Sequence, residues 1–329
     1  MTLSPSPSAI GRFAPSPSGR MHLGNVFTAI MSYLSARKKG GGWIVRMEDL
    51  DTQRCRSEFK RLLLDDLRWL GLEWDNAAPS ADTILPHEFF QSERGHLYTK
   101  AFSTLLGKGL VYDCYCTRAD LRSSSAPHSS DGISVYSGKC RGLSDDERRL
   151  LSERRSPAQR LATDDRTIVF TDGHYGRQEH NLALDCGDFI IRRSDGNFAY
   201  QLAVVVDDAL MGVTEVVRGR DLLPSTAAQL YLYECLSLTP PRFIHHPLLL
   251  APDKRRLSKR NKDIDMGCLR DSLTREELIG KIMFLSGCAE KEEAMTLTEA
   301  ETIFDWARVR KDDIVVESGT GHKESGLRL

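Results

Sequence analysis

The sequence predicts an α/β domain, parallel strands joined by helices, interrupted by an inserted segment and closed by a short helical region. Three observations lead there. Short apolar runs and amphipathic runs alternate through residues 10–110 and again from 187 to 262, the rhythm of a sheet wound with helices. Between them lies a polar stretch, 111–186, with three closely spaced cysteines, Cys114, Cys116 and Cys140. From 263 to 317 the pattern is helical, with two capping-box signals, Thr274/Glu277 and Thr298/Glu301.

In order along the chain, residues 1–9 are Ser/Pro-rich and read as an unstructured extension, and "IGRF" reads as a strand. Leu23, Phe27, Ile30, Met31 and Leu34 fall at helical spacing in a run that stops at "KKGGG". "WIVRMEDL" is a strand leading into acidic residues. Residues 57–70 form a helix with Leu63, Leu67 and Leu70 on one face and Gly71 as its stop. A helix over about 92–108 stops at Gly109. Residues 123–134, "SSSAPHSSDGIS", read as a polar loop, and Ser144/Glu147 as a capping box. Residues 157–186 carry no clear period. "DFIIRRSDGNFAYQLAVVVDD" holds two apolar runs around a turn signal and reads as a hairpin. "TEVVRG" is a strand, 224–236 a helix and 318–329 a loose tail. There is no internal repeat.

Composition narrows the function classes. The 329 residues suffice for about two domains, and the 40% hydrophobic content supplies a core. A net charge of −1 gives no global basic field, so contact with nucleic acid must run through local patches. No apolar run is long enough to span a membrane, and the first residues lack a secretory pattern. The eight cysteines show no disulfide framework, so a reducing, cytoplasmic setting is expected. Cys55, Cys186, Cys235, Cys268 and Cys288 stand alone and read as small buried hydrophobes.

Two segments carry chemistry. In "RFAPSPSGRMHLGN" a strand passes through a Ser/Pro/Gly loop into His22-Leu-Gly24-Asn25 at a helix start. Free N–H groups and the helix dipole favour phosphate there, and the His22 imidazole can donate to developing phosphate charge. "APDKRRLSKRNK", 251–262, follows the apolar run "FIHHPLLL" and carries six basic residues around Ser258-Lys259, mobile cations suited to a leaving pyrophosphate. The cysteines read either as a zinc site or as unpaired core thiols: two thiolates two residues apart on a strand-like segment share a side, and Cys140 adds a third. The residues alone point to His128 as the fourth ligand.

These segments resemble the glutamyl-tRNA synthetase catalytic core of the class I aminoacyl-tRNA synthetases. "HLGN" resembles the HIGH motif and "RLSKR" the KMSKS loop; "RFAPSPSG", "RMEDLD", "FAYQLAVVVDD" and "VVRGRDLL" follow the same core in order, over about residues 10–270. The resemblance implies a Rossmann-type catalytic domain in two halves, 10–110 and 187–262, with a zinc-bearing acceptor-like insert at 111–186. It implies catalytic His22 and Lys259, and ATP held by Pro17, His22, Gly24, Asn25, Ser258 and Lys259 with Mg²⁺. Glutamate would be bound by Arg12, Phe13, Ala14, Pro15, Ser16, Glu48, Tyr200 and Arg218. Among these, Arg12 would face the side-chain carboxylate and Glu48 the ammonium, while Asp49 and Asp51 would anchor loops. One zinc per chain would sit on Cys114, Cys116, Tyr136 and Cys140; the long Ser-rich insert keeps His128 as an alternative to Tyr136.

Only about 69 residues follow Arg260, too few for the large anticodon-binding region of the full-length enzymes. The resemblance therefore implies the family's compact branch, which activates glutamate with ATP and passes it to the queuosine base of tRNA(Asp); a monomer is expected. The alternatives are a truncated enzyme charging tRNA(Glu), an inactive RNA-binding paralogue and a nucleotidylyltransferase.

Overall fold

The computed structural model describes residues 9–76, 85–117, 120, 135–255, 257 and 265–316. Four strands form a parallel sheet in the order β2-β1-β8-β9: β1 (Ile10–Phe13), β2 (Gly42–Val45), β8 (Glu215–Gly219) and β9 (Arg242–His246). Successive side chains leave opposite faces of a strand, and the two faces meet separate cores. Val217 and Ile244 join one cluster with α1 (Leu23–Arg37), α2 (Ser57–Trp69), α8 (Arg275–Ser286) and α9 (Leu297–Ile303). Val216 and Phe243 join the other with α3 (Gly95–Gly107), α5 (Tyr200–Leu210) and α6 (Ser225–Cys235). The sheet is thus covered on both sides, the α/β architecture expected. At Gly11 an added Cβ would lie 3.0 Å from the Ala36 Cβ, so the missing side chain lets α1 lie close against β1.

Because the chain runs from β1 to β2 on one side and from β8 to β9 on the other, the winding reverses between β1 and β8. In such sheets a crevice opens at that switch point, beyond the carboxyl ends of the strands. Arg12, Glu48, Arg218 and His246 lie at or just past those ends.

The segment between α3 and α5 builds its own structure: an antiparallel sheet in the order β3-β4-β7 (Val111–Cys114, Ala158–Leu161, Phe189–Arg192), helix α4 (Asp145–Ser152) and a hairpin of β5 (Thr167–Asp172) with β6 (Gly176–Asn181). Three of these strands fall in the stretch without a sequence period, and β7 carries the inserted sheet on to Arg192, beyond the expected boundary at 186.

Two expectations need correction. The second apolar run of the "SDGN" region is helix α5, not a hairpin strand; Val204, Val205 and Val206 are strand-prone locally, but burial against neighbouring helices overrides propensity. The last capping box is Thr296/Glu299, not Thr298/Glu301, which puts Ala300 in the core. The boxes at Ser144/Glu147 and Thr274/Glu277 form as expected. The helical end also contains a two-residue strand β11 (Ile314–Val315), paired with β10 (Leu249–Leu250). Of the five isolated cysteines, Cys55, Cys235 and Cys288 are buried, whereas Cys186 is half-buried and Cys268 is exposed in the first turn of α7 (Met266–Ser272). Residues 1–8, the 123–134 loop with His128, and the 318–329 tail lie outside the described residues. Among the described residues no helix is long and apolar enough to cross a membrane.

Candidate active site

A cavity of about 440 Å³ opens at the switch point. Arg12, Phe13, Ala14, Pro15, Ser16, His22, Gly24, Asn25, Glu48, Tyr200 and Arg218 all line it. Pro17 is buried but does not line it. Ser258 and Lys259 lie outside the described residues, but residues on both sides of them are placed here. Leu257 lines the cavity and donates its N–H to Leu249 O, and Met266 N–H donates to Met21 O at 2.9 Å, beside a bridge between His22 and Asp265.

The Ser/Pro loop is held from the β2 side. Arg46 N–H donates to Phe13 O and Glu48 N–H to Pro15 O, both at 3.0 Å, which brings Glu48 alongside residues 12–16. His22 is the N-cap of α1: its Nδ1 accepts the Gly24 N–H at 3.1 Å, and the Asn25 side chain accepts the His22 N–H at 3.2 Å. A Cβ at Gly24 would lie 3.0 Å from the imidazole Cε1, so the glycine lets the ring rest close over the helix start. With Nδ1 accepting, the proton of a neutral imidazole belongs on Nε2.

Charge is arranged in depth. Asp208, near the end of α5, ion-pairs with Arg46 Nη1 at 2.6 Å and with Arg12 Nε at 3.4 Å. Its neighbour Asp207 accepts from Arg94 Nε at 2.6 Å and from Gln91 and Tyr98, each at 2.8 Å. Glu48 accepts from Arg46 Nη2 at 3.2 Å; burial pushes its carboxyl above the usual range, against the pull of Arg46 and Arg12. Burial likewise pushes the Tyr200 hydroxyl up; that residue opens α5 and does not stand on a strand, as its surrounding motif suggested.

Arg218 differs from the other arginines. It is 3% exposed, and its bonded partners are neutral: His245 Nε2 at 2.9 Å, Gln229 Oε1 at 2.8 Å, Thr226 Oγ1 at 2.8 Å and Leu222 O at 3.3 Å. Among the described residues no carboxylate lies within ion-pair distance of it. Burial, the largest influence, pushes its guanidinium pKa down.

The sequence reading did not single out Thr28, Asp221 or His246, which also line the cavity, nor His245 behind it. The only signal for the last pair was "HH" at the end of a strand. Asp49 and Asp51 anchor loops as expected: Asp49 accepts from Lys60 and from the Ser92 N–H and hydroxyl, and Asp51 caps the Arg54 N–H.

In the insert, Cys114, Cys116 and Cys140 bring their sulfurs within 4.8 Å of one another, with Cys116 Sγ 3.6 Å from Cys140 Sγ. Thiolates about 2.3 Å from a tetrahedral ion stand at about that separation, so the cluster could hold a metal ion. The Tyr136 hydroxyl lies 3.5 Å from Cys114 Sγ and 3.7 Å from Cys116 Sγ, and accepts the Cys140 N–H at 2.8 Å.

A parallel sheet whose switch-point crevice holds a capped helix start and a buried arginine with no carboxylate partner among the described residues is an architecture suited to an anionic substrate. Residues 9–318 match the family of tRNA synthetases class I (E and Q), catalytic domain, and the chain belongs to that family. Within it, the chain is 44% identical over 316 residues, 94% of its own length and 96% of the relative's, to the glutamyl-Q tRNA(Asp) synthetase of Symbiobacterium thermophilum. It is 39% identical to the glutamate–tRNA ligase of a Sulfurihydrogenibium species, covering 89% of this chain but 61% of that one. The glutamate tRNA ligase of Elizabethkingia meningosepticum, solved with its amino acid, superposes with a TM-score of 0.76 at 29% identity, over 94% of this chain and 67% of that one.

Proposed function

We propose that the chain activates glutamate with ATP and transfers the glutamyl group to the queuosine base of tRNA(Asp). The observation that carries the first step is Arg218, a buried cation with no carboxylate within ion-pair distance among the described residues, in one cavity with Glu48 and the His22 helix start. Glutamate's side-chain carboxylate meets Arg218 and Arg12, and its ammonium meets Glu48. A glutamate α-carboxylate oxygen attacks the α-phosphorus of ATP; the new O–P bond forms as the bond to the β-phosphate oxygen breaks, and pyrophosphate leaves. His22 Nε2–H, the positive end of the α1 dipole and Ser258-Lys259 stabilise the phosphate charge, and Mg²⁺ enters as the counter-ion of ATP. The adenylate's carbonyl carbon is then attacked by the acceptor, and AMP leaves with the electron pair. Likeness to proteins named glutamyl-Q tRNA(Asp) synthetases over nearly their whole length supports the choice of acceptor.

The test supplies labelled glutamate and ATP with tRNA(Asp) bearing queuosine, tRNA(Asp) lacking it, and tRNA(Glu). Label should appear on the first alone, with activation proceeding without RNA. Label on tRNA(Glu) returns the chain to a tRNA(Glu)-charging enzyme. RNA affinity should fall steeply with salt, since contacts run through local basic segments such as 254–262.

Zinc is the proposed ion of the cysteine cluster, with Tyr136 as fourth ligand; it would cross-link the ends of the Ser-rich segment and hold the inserted sheet. Metal analysis should find about one zinc per chain, nearly absent in Cys140→Ser, with the insert more open to protease because site formation and local folding are coupled. Loss of zinc in His128→Ala with retention in Tyr136→Phe would replace the fourth ligand.

The proposed organisation is a catalytic domain in two halves around the insert, followed by a helical region, acting as a cytoplasmic monomer.

A further inference from the structure

Behind Arg218 stands a buried chain of polar groups drawn from three separate parts of the sequence. His245, near the end of β9 and fully buried, receives the Arg218 Nε–H on Nε2 at 2.9 Å. Its other nitrogen, Nδ1, stands 2.6 Å from Asp172 Oδ2. Asp172 ends β5 in the insert, and its Oδ1 accepts the N–H groups of His174 and Tyr175 at 2.9 and 2.8 Å. Gly173 N–H donates to Phe243 O at 2.8 Å, so the β5–β6 turn is fastened to β9 as well.

The hydrogen-bond arithmetic allows one arrangement. Arginine only donates, so His245 Nε2 must be the unprotonated nitrogen; a carboxylate only accepts, so Nδ1 must carry the proton. The imidazole is therefore neutral, which agrees with burial, the largest influence, pushing its pKa down to about 4. The tautomer that receives Arg218 is the one Asp172 selects.

We propose that Asp172 and His245 are positioning residues for glutamate recognition: the insert's hairpin fixes the His245 tautomer, and His245 fixes the direction of the Arg218 guanidinium. The proposal rests on Arg218 being the cation for the substrate carboxylate. It assigns the insert a part in amino-acid binding through β5, apart from any part in holding RNA.

Two substitutions at one position separate positioning from mere structural support. In His245→Gln the side-chain oxygen reaches the Nε2 position and still accepts from Arg218, while the contact to Asp172 is lost. In His245→Asn the amide nitrogen takes the Nδ1 position and still donates to Asp172, while Arg218 loses its acceptor. Glutamate-dependent ATP–pyrophosphate exchange is measured for both, titrating glutamate and ATP separately, alongside thermal unfolding. His245→Asn should raise KM for glutamate about tenfold, the scale for one hydrogen bond to a charged group. Its KM for ATP should stay within about twofold and its Tm near that of the parent. His245→Gln should keep KM for glutamate within about threefold even where its Tm falls. Asp172→Asn, free to present an amide N–H to Nδ1 and reverse the tautomer, should follow His245→Asn. Parental glutamate KM in His245→Asn, or equal rises in both KM values, overturns the proposal. Unchanged glutamate KM in Arg218→Gln overturns the reading of the pocket itself, and the two failures are distinct.

Discussion

Arg218→Gln should raise KM for glutamate, or lower kcat/KM for it, by about 30-fold to several thousand-fold, with KM for ATP nearly unchanged. The range follows from the roughly 2–5 kcal/mol lost when one member of a desolvated charge pair is removed and the other is left unpaired. Arg218 should sit high in it because its hydrogen bonds among the described residues all go to neutral acceptors, so no carboxylate in contact there competes with the substrate's. Arg12→Ala should show the same selectivity for glutamate with a smaller loss, since Arg12 already shares Asp208 with Arg46. Stability should change little in Arg218→Gln, because the substitution also removes the desolvation cost of a buried cation. Exchange kinetics with each substrate varied in turn, plus a melting curve, decide the matter. Equal losses for glutamate and ATP would mean that Arg218 supports the crevice as a whole.

His22→Asn should slow adenylate formation by about 10²–10³-fold while leaving the fold intact, the range for one preorganised donor at developing oxyanion charge. Asparagine is among the best N-cap residues, and its side-chain oxygen can take the Gly24 N–H that His22 Nδ1 now accepts. What it cannot supply is a donor at the Nε2 position. His22→Ala removes both, so it should lose the same rate and about 1 kcal/mol of stability besides. Single-turnover pyrophosphate release is the direct measurement; a parental rate in His22→Asn would leave His22 with capping alone. Lys259→Ala should fall in the same rate range, because Lys259 is proposed to act on the same phosphate charge.

Much of this was legible in the sequence, for reasons that differ by residue. The strand–loop–helix of residues 10–37 could be read because its chemistry is local: a periodic apolar face, a loop of Ser, Pro and Gly, and a cap. The cysteine cluster could be read because Cys114, the last residue of β3, and Cys116 are close in sequence, although Cys116 lies past the end of the strand. The helix at 200–210 could not, because three consecutive valines favour a strand and only the surrounding core makes them helical. The register at 296–301 was ambiguous in "TLTEAE", where either threonine has a glutamate three residues on; burial of Ala300 decides it. The Asp172–His245–Arg218 chain was invisible because its members lie 73 and 27 residues apart and nothing in their local patterns connects them.

The buried ion pairs around Asp207 and Asp208 also set an electrical balance. Arg12, Arg46 and Arg94 meet Asp207, Asp208 and Glu48 at ion-pair distance, whereas Arg218 touches neutral acceptors, with the Asp172 carboxylate held one imidazole away. A substrate carboxylate beside Arg218 would be answered in contact; glutamine, of nearly the same shape, would bring no charge to that desolvated cation. Selection between the two amino acids would then need no steric barrier, because it would follow from where the fold places its charges.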